Sequence, residues 1–152
     1  MSRITGYDHT SFTVKDIDRT VGFWTQTMGF ELNSLSPRTQ PWLGEVVGEP
    51  GATCRIAHLA GHGMNLEFID YDGKAPGENV FGPATRAGAA HIAFHVDDIA
   101  GFSETMLTGG ATMLGQISRC GSDAMTAGCL AVYMKDPEGI IVELVEDLPA
   151  NP

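Results

Sequence analysis

One nine-residue phrase occurs twice in this chain. His9-Thr-Ser-Phe-Thr-Val-Lys-Asp-Ile17 lines up with His91-Ile-Ala-Phe-His-Val-Asp-Asp-Ile99, and His, Phe, Val, Asp and Ile recur at identical places. Such an internal repeat constrains the fold more than any composition does. It points to two supersecondary units of one design. The chain has 152 residues, enough for one compact domain built from two small modules.

Hydrophobic periodicity gives each module the same plan. Residues 7–14 alternate and read as a strand. Asp16 caps a helix running to Met28, with Val21, Phe23, Trp24 and Met28 as its apolar stripe and Gly29 as its stop. Strands follow at 30–36, 53–59 and 64–71. In the second copy a strand at 89–96 leads to a helix capped by Asp98 and ending near Gly109-Gly110. Strands then fall near 111–117, 128–135 and 140–146, and Asp136-Pro-Glu-Gly139 marks a hairpin turn. The expected fold is α+β, with two βαβββ modules: residues 1–72 and 88–152, joined by a Gly- and Pro-rich linker at 73–87.

Strand alternation then sorts the side chains. Phe12 and Val14 share one face of the first strand, Leu66 and Phe68 one face of the last strand of that module. Ile92, Phe94 and Val96, then Val142 and Leu144, repeat the arrangement. The opposite faces carry His9, Glu67, His91 and Glu143. Each first strand thus supplies an imidazole and each last strand a carboxylate. Two carboxylates gathered on one partly buried face repel each other and lose hydration, and a divalent cation removes both penalties. Imidazole nitrogen with carboxylate oxygen suits Zn, Ni, Co, Fe or Mn. A strand His or Glu taken singly more often just faces solvent; the matched placement of four favours a metal site. His95 shares the face of His91, whereas His58 and His62 fall outside the matched positions and read as surface or loop residues.

Composition excludes some partners. The formal net charge is −10, and the nine Lys and Arg residues form no patch, so nucleic acid and anionic membranes are not expected. No apolar run approaches the roughly 20 residues of a membrane span, and the N-terminus does not read as a secretory signal. Cys54, Cys120 and Cys129 show no CxxC spacing and read as thiols in a reducing, cytoplasmic compartment. The Gly- and Ser-containing segment 115–128 reads equally as a lid or as an irregular connection.

These residues resemble the vicinal oxygen chelate superfamily of glyoxalases, bleomycin resistance proteins and extradiol dioxygenases. The resemblance runs from about Thr5 to Asp147. Its most characteristic stretches are Gly88-Ala-Ala-His-Ile-Ala-Phe-His-Val-Asp-Asp-Ile99 and Asp136-Pro-Glu-Gly-Ile-Ile-Val-Glu-Leu-Val-Glu146. It implies a curved mixed sheet enclosing a metal-binding cup, with His9, Glu67, His91 and Glu143 as ligands of one divalent ion. It also implies proton-transfer isomerisation, epimerisation or lyase chemistry on a small oxygen-chelating substrate, with Glu143 or Glu67 as base.

Departures sort the members. Thr13 and Tyr71 stand where glyoxalase I carries residues that contact glutathione, so they and His95 are candidates for lining a different substrate pocket. A carboxylate as fourth ligand argues against the two-His, one-carboxylate set of an Fe(II)-dependent extradiol dioxygenase, which remains the alternative enzyme. The other alternative is a non-catalytic protein that sequesters a small drug-like molecule, although its bleomycin-binding relatives lack the metal ligands. Glu49 resembles a second acid of acyl-CoA epimerases but reads as a turn residue before Pro50-Gly51. A homodimer is expected because exposed sheet edges in such folds are commonly paired.

Overall fold

The computed structural model describes residues 2–72, 82–121 and 128–148. The chain divides into two compact units, one ending at Gly77 and the other starting at Glu78. Most of the expected linker, residues 73–81, and the middle of the segment read as a lid, residues 122–127, lie outside the described residues.

The first unit runs β1 (Thr10–Thr13), α1 (Ile17–Gln26), β2 (Glu31–Arg38), α2 (Trp42–Val47), β3 (Cys54–Gly61) and β4 (Met64–Asp70). Its sheet has the order β1-β4-β3-β2, with β1 parallel to β4 and the other pairs antiparallel. The Asp16 side chain accepts from the Arg19 N–H and caps α1, satisfying one of the donors a helix N-terminus leaves open. Ile17, Thr20, Phe23 and Trp24 then fall on the buried face. Trp24, Phe68 and Leu66 are wholly buried, and Trp24 packs its ring against Phe30 at 5.4 Å and Phe68 at 5.5 Å. The apolar face of β4 is therefore the floor under α1, as its alternation requires.

The second unit runs β5 (His91–His95), α3 (Ile99–Thr108), β6 (Thr112–Met113), β7 (Ser118–Arg119), β8 (Cys129–Lys135) and β9 (Ile141–Asp147). The order is β5-β9-β8-β6, with β7 also paired to β8 and β5 parallel to β9. Asp98 caps α3 by accepting from the Gly101 N–H. Asp136 organises the β8–β9 turn: its Oδ1 accepts from the N–H groups of Glu138 at 2.9 Å and Ile140 at 2.8 Å, and all of this is buried.

The βαβββ plan holds in both units, with three departures. The first strand begins at Thr10 rather than Tyr7, so His9 precedes the ladder instead of sitting within it. The short helix α2 interrupts the first unit between β2 and β3. The strand expected over 111–117 is broken into β6 and β7, because Leu114 and Gly115 both turn their N–H groups onto the Tyr133 carbonyl. A single acceptor taking two successive donors cannot continue a regular ladder, and the chain bulges at that rung.

Candidate functional site

In the first unit β4 lies between β1 and β3. The register sets Glu67 beside Ser11 on one side and His58 on the other. The His9 Nε2 approaches Glu67 Oε1 at 3.3 Å, and His58 Nδ1 lies 3.7 Å from Glu67 Oε2. Glu67 keeps only 12% of its side chain exposed. His9 turns its other ring nitrogen to the Asp8 carboxylate, Nδ1 to Oδ1 2.5 Å. That hydrogen bond holds the imidazolium, and with the charge of Glu67 it raises the pKa of His9 above the ordinary histidine value against a smaller opposing desolvation.

The second unit repeats the pair. His91 Nε2 lies 3.2 Å from Glu143 Oε2. The residue directly across from Glu143 is Tyr133, the counterpart of His58 in the first unit. Its hydroxyl is 3.5 Å from His91 Nε2, and the two rings stand 5.0 Å apart. Burial and the nearby Glu143 raise the Tyr133 pKa, so the phenol keeps its proton at neutral pH and can donate. On the Glu143 face of β9, Ile141 and Val145 are buried, whereas Glu143 itself is partly exposed. Beside Tyr133, where β6 and β7 part, an open cavity of about 450 Å³ lies against Leu114, Gly115, Ala131 and Val132 and the segment 83–85, and among the described residues its lining has no charged side chain.

The expected ligands thus come together in pairs: His9 with Glu67, and His91 with Glu143. Among the described residues no three or more His, Cys, Asp or Glu side chains form an arrangement that could hold a metal ion. Each unit offers two donors. Their chemistry fits a divalent cation of the nitrogen- and oxygen-liking kind. So does the carboxylate behind His9, since a metal-binding imidazole ordinarily gives its second N–H to such a partner, which fixes tautomer and orientation.

The pocket candidates divide. Thr13 is exposed on β1, two residues beyond Ser11 on the face of His9. Tyr71 packs against the cluster of Leu43, Cys54 and Ile56, and burial raises its pKa. His95 is exposed and its Nδ1 lies 3.4 Å from Asp147 Oδ2. His58 keeps 40% of its side chain exposed, as a surface residue should, but it lies on β3 rather than in a loop and faces Glu67. His62 does lie in the β3–β4 turn, where Nε2 meets the Met28 carbonyl at 2.8 Å. Asp8 and Tyr133 were not singled out by pattern. The position of Asp8 next to His9 was the available signal, whereas Tyr133 needs the β8–β9 register.

The chain belongs to the glyoxalase/bleomycin resistance protein/dioxygenase superfamily, whose family model matches residues 6–144. A 2-epi-5-epi-valiolone epimerase from Actinomyces sp is 32% identical over 149 residues, covering 94% of this chain and 79% of that protein. A probable lactoylglutathione lyase from Vibrio cholerae is 27% identical, covering 94% and 91%. The crystal structure of a glyoxalase family protein from Bacillus cereus superposes with a TM-score of 0.84 at 20% identity, covering 97% of both chains. The fosfomycin resistance protein FosX from Listeria monocytogenes, complexed with Mn(II) and a dihydroxypropylphosphonic acid, gives 0.61 at 17% identity, covering 93% and 90%. These likenesses establish an α+β fold of paired βαβββ modules. They place the chain in a superfamily that includes enzymes acting on small molecules and whose members commonly bind a divalent metal. Among the described residues no helix is long and apolar enough to cross a membrane.

Proposed function

We propose that this protein is a divalent-metal-dependent enzyme that moves a proton at a carbon beside a carbonyl, epimerising or isomerising a small oxygen-rich substrate. The observation that carries the reading is the duplicated His–Glu pair, 3.3 Å and 3.2 Å across, on the first and last strands of the two modules. His9, Glu67, His91 and Glu143 are the proposed ligands of one ion (Zn, Ni, Co, Fe or Mn). When bound, that ion supplies Lewis acidity toward adjacent substrate oxygens.

The remaining chemistry falls to side chains. Glu143 is the proposed base. It is 21% exposed, and Tyr133 beside it offers a protonated hydroxyl that can hold a substrate oxygen. Glu67, with an imidazole on each side, is the proposed group that returns a proton. Positioned transfer of this kind contributes roughly 10²- to 10⁴-fold in rate. Among the described residues the lining of the cavity beside Tyr133 has no charged side chain to pair with the carboxylates and ammonium of glutathione, which supports a neutral substrate. Thr13 and Tyr71, at the glutathione-contact positions, support the same choice. Epimerisation, the activity named for the Actinomyces relative, is therefore favoured over the lyase reaction. Thr13, Tyr71 and His95 remain proposed pocket residues. A homodimer is proposed because β2 ends its sheet with one edge unpaired among the described residues, and a cytoplasmic setting because three cysteines without CxxC spacing do not make the disulfide framework of a secreted domain.

The test has two parts. Elemental analysis of protein purified without added metal should give a stoichiometric divalent ion, lost in His91→Ala. Turnover of a small α-hydroxy ketone in deuterium oxide should place deuterium at the carbon next to the carbonyl, and Glu143→Gln should abolish that exchange. Retention of the ion by His91→Ala would overturn the ligand assignment, and unlabelled product would overturn the proton-transfer reading.

A further inference from the structure

Two of the three cysteines face each other across a strand pair. The β7–β8 register runs Ser118↔Ala131 and Arg119↔Leu130, so the next rung sets Cys120 opposite Cys129. The Cys120 N–H donates to the Cys129 carbonyl at 2.9 Å, continuing the ladder. The two Sγ atoms lie 2.8 Å apart. Directly opposed residues of an antiparallel pair have Cα atoms roughly 4.5 to 5.5 Å apart, inside the window of about 4.4 to 6.8 Å that a disulfide needs. The remaining step is to close the sulfur gap from 2.8 Å to about 2.05 Å.

The two thiols differ in access. Cys120 is partly exposed, whereas Cys129 keeps 2% of its surface. Cys54 lies in the other unit, 1% exposed among Leu43 and Ile56. Burial and the charge of Asp72 push its thiol pKa upward, which disfavours the reactive thiolate. The chain thus holds one pair built for bridging and one internal control.

We propose that Cys120 and Cys129 are a modification site that forms a reversible intrachain disulfide, with a low-molecular-weight disulfide as its oxidant. The thiolate of the accessible Cys120 attacks one sulfur of the small disulfide, forming a mixed disulfide and releasing one small thiol. The Cys129 thiolate then attacks the Cys120 sulfur, forming the Cys120–Cys129 bond and releasing the second small thiol. The protein loses two electrons and two protons; the small disulfide gains both and leaves as two thiols. The bridge joins positions nine apart and clamps β7 to β8, four residues from Tyr133 on the same strand. Neither cysteine is a proposed metal ligand, and Ala131 of the cavity lining lies two residues along β8 from Cys129.

The experiment uses the full chain, reduced and then equilibrated with excess oxidised glutathione, followed by intact-mass measurement and peptide mapping with differential alkylation. The expected result is loss of two hydrogens in mass, a linked Cys120–Cys129 peptide, and Cys54 as the single remaining thiol. Dithiothreitol should restore all three thiols. Cys129→Ser should stop at a stable glutathione adduct on Cys120, and the bridged wild-type protein should melt at a higher temperature than the reduced one. Three unmodified thiols, a glutathione adduct persisting on wild-type Cys120, or a bridge involving Cys54 would each overturn the proposal. The wild-type measurement decides it even if the serine variant does not fold.

Discussion

Asp8→Asn isolates the orientation of one imidazole from everything else in the molecule. The Asp8 carboxylate holds His9 Nδ1 at 2.5 Å, leaving Nε2 aimed at Glu67. The Asp8 side chain is 95% exposed and covers no core, so its replacement should leave fold stability within about 0.5 kcal/mol. Loss of a partner behind a metal-binding histidine typically costs about 10- to 100-fold in affinity, or roughly 1.4 to 2.7 kcal/mol. A second effect opposes this. Asp8 raises the His9 pKa, so the variant loses its proton more easily and competes less against the metal. That competition fades as pH rises above the raised folded value, so the orientation effect is what persists toward alkaline pH. The assay is competitive titration of the apo-protein with Zn(II) against a chromophoric chelator at pH 8, with a melting curve of each apo-protein. Affinity should fall 10- to 100-fold while the melting temperature stays put. The second unit has Ala90 at the matching position, so Ala90→Ser should change neither. Unchanged affinity in Asp8→Asn would refute the claim that this carboxylate prepares His9 for a metal.

Further outcomes follow from other contacts. Trp24→Ala removes a fully buried ring packed on Phe30 and Phe68 and should destabilise by about 3 to 5 kcal/mol, read from denaturant unfolding. Asp136→Ala leaves two buried N–H groups without their acceptor and should cost about 2 to 4 kcal/mol, while Asp136→Asn, which keeps an acceptor oxygen, should cost clearly less in the same measurement. The Asp18 pKa is lowered chiefly by its hydrogen bond from Arg55, so the folded state binds that proton less readily than the unfolded chain. Its stabilisation is present above the unfolded Asp pKa of about 3.9 and fades as pH falls through the lower folded value. Wild type should therefore exceed Asp18→Asn in stability near pH 6 and lose that advantage in acid, as compared by melting curves across pH.

Much of the architecture was legible before any coordinates. Asp16 and Asp98 announced the starts of α1 and α3, and alternation put Leu66, Phe68, Val142 and Leu144 on packed faces, all wholly buried in the structure, although Ile141 and Val145 on the opposite face of β9 are buried as well. Other features were not legible. Helix α2 is six residues long and has no side-chain cap, so it carries too little periodicity to read. The strand over 111–117 alternates acceptably, yet it breaks because two successive N–H groups share the Tyr133 carbonyl, an arrangement that pattern alone does not encode.

The site divides along the same line. Sequence by itself determined that each module offers one histidine and one glutamate, because duplication and a two-residue strand period are properties of order along the chain. Tertiary structure decided what stands next to each glutamate: His58 across from Glu67, Tyr133 across from Glu143, and Cys120 across from Cys129. Those neighbours lie on different strands, and their meeting is fixed by register. Register is set by the turns and the packing of apolar faces, so it becomes visible only when the sheet is assembled.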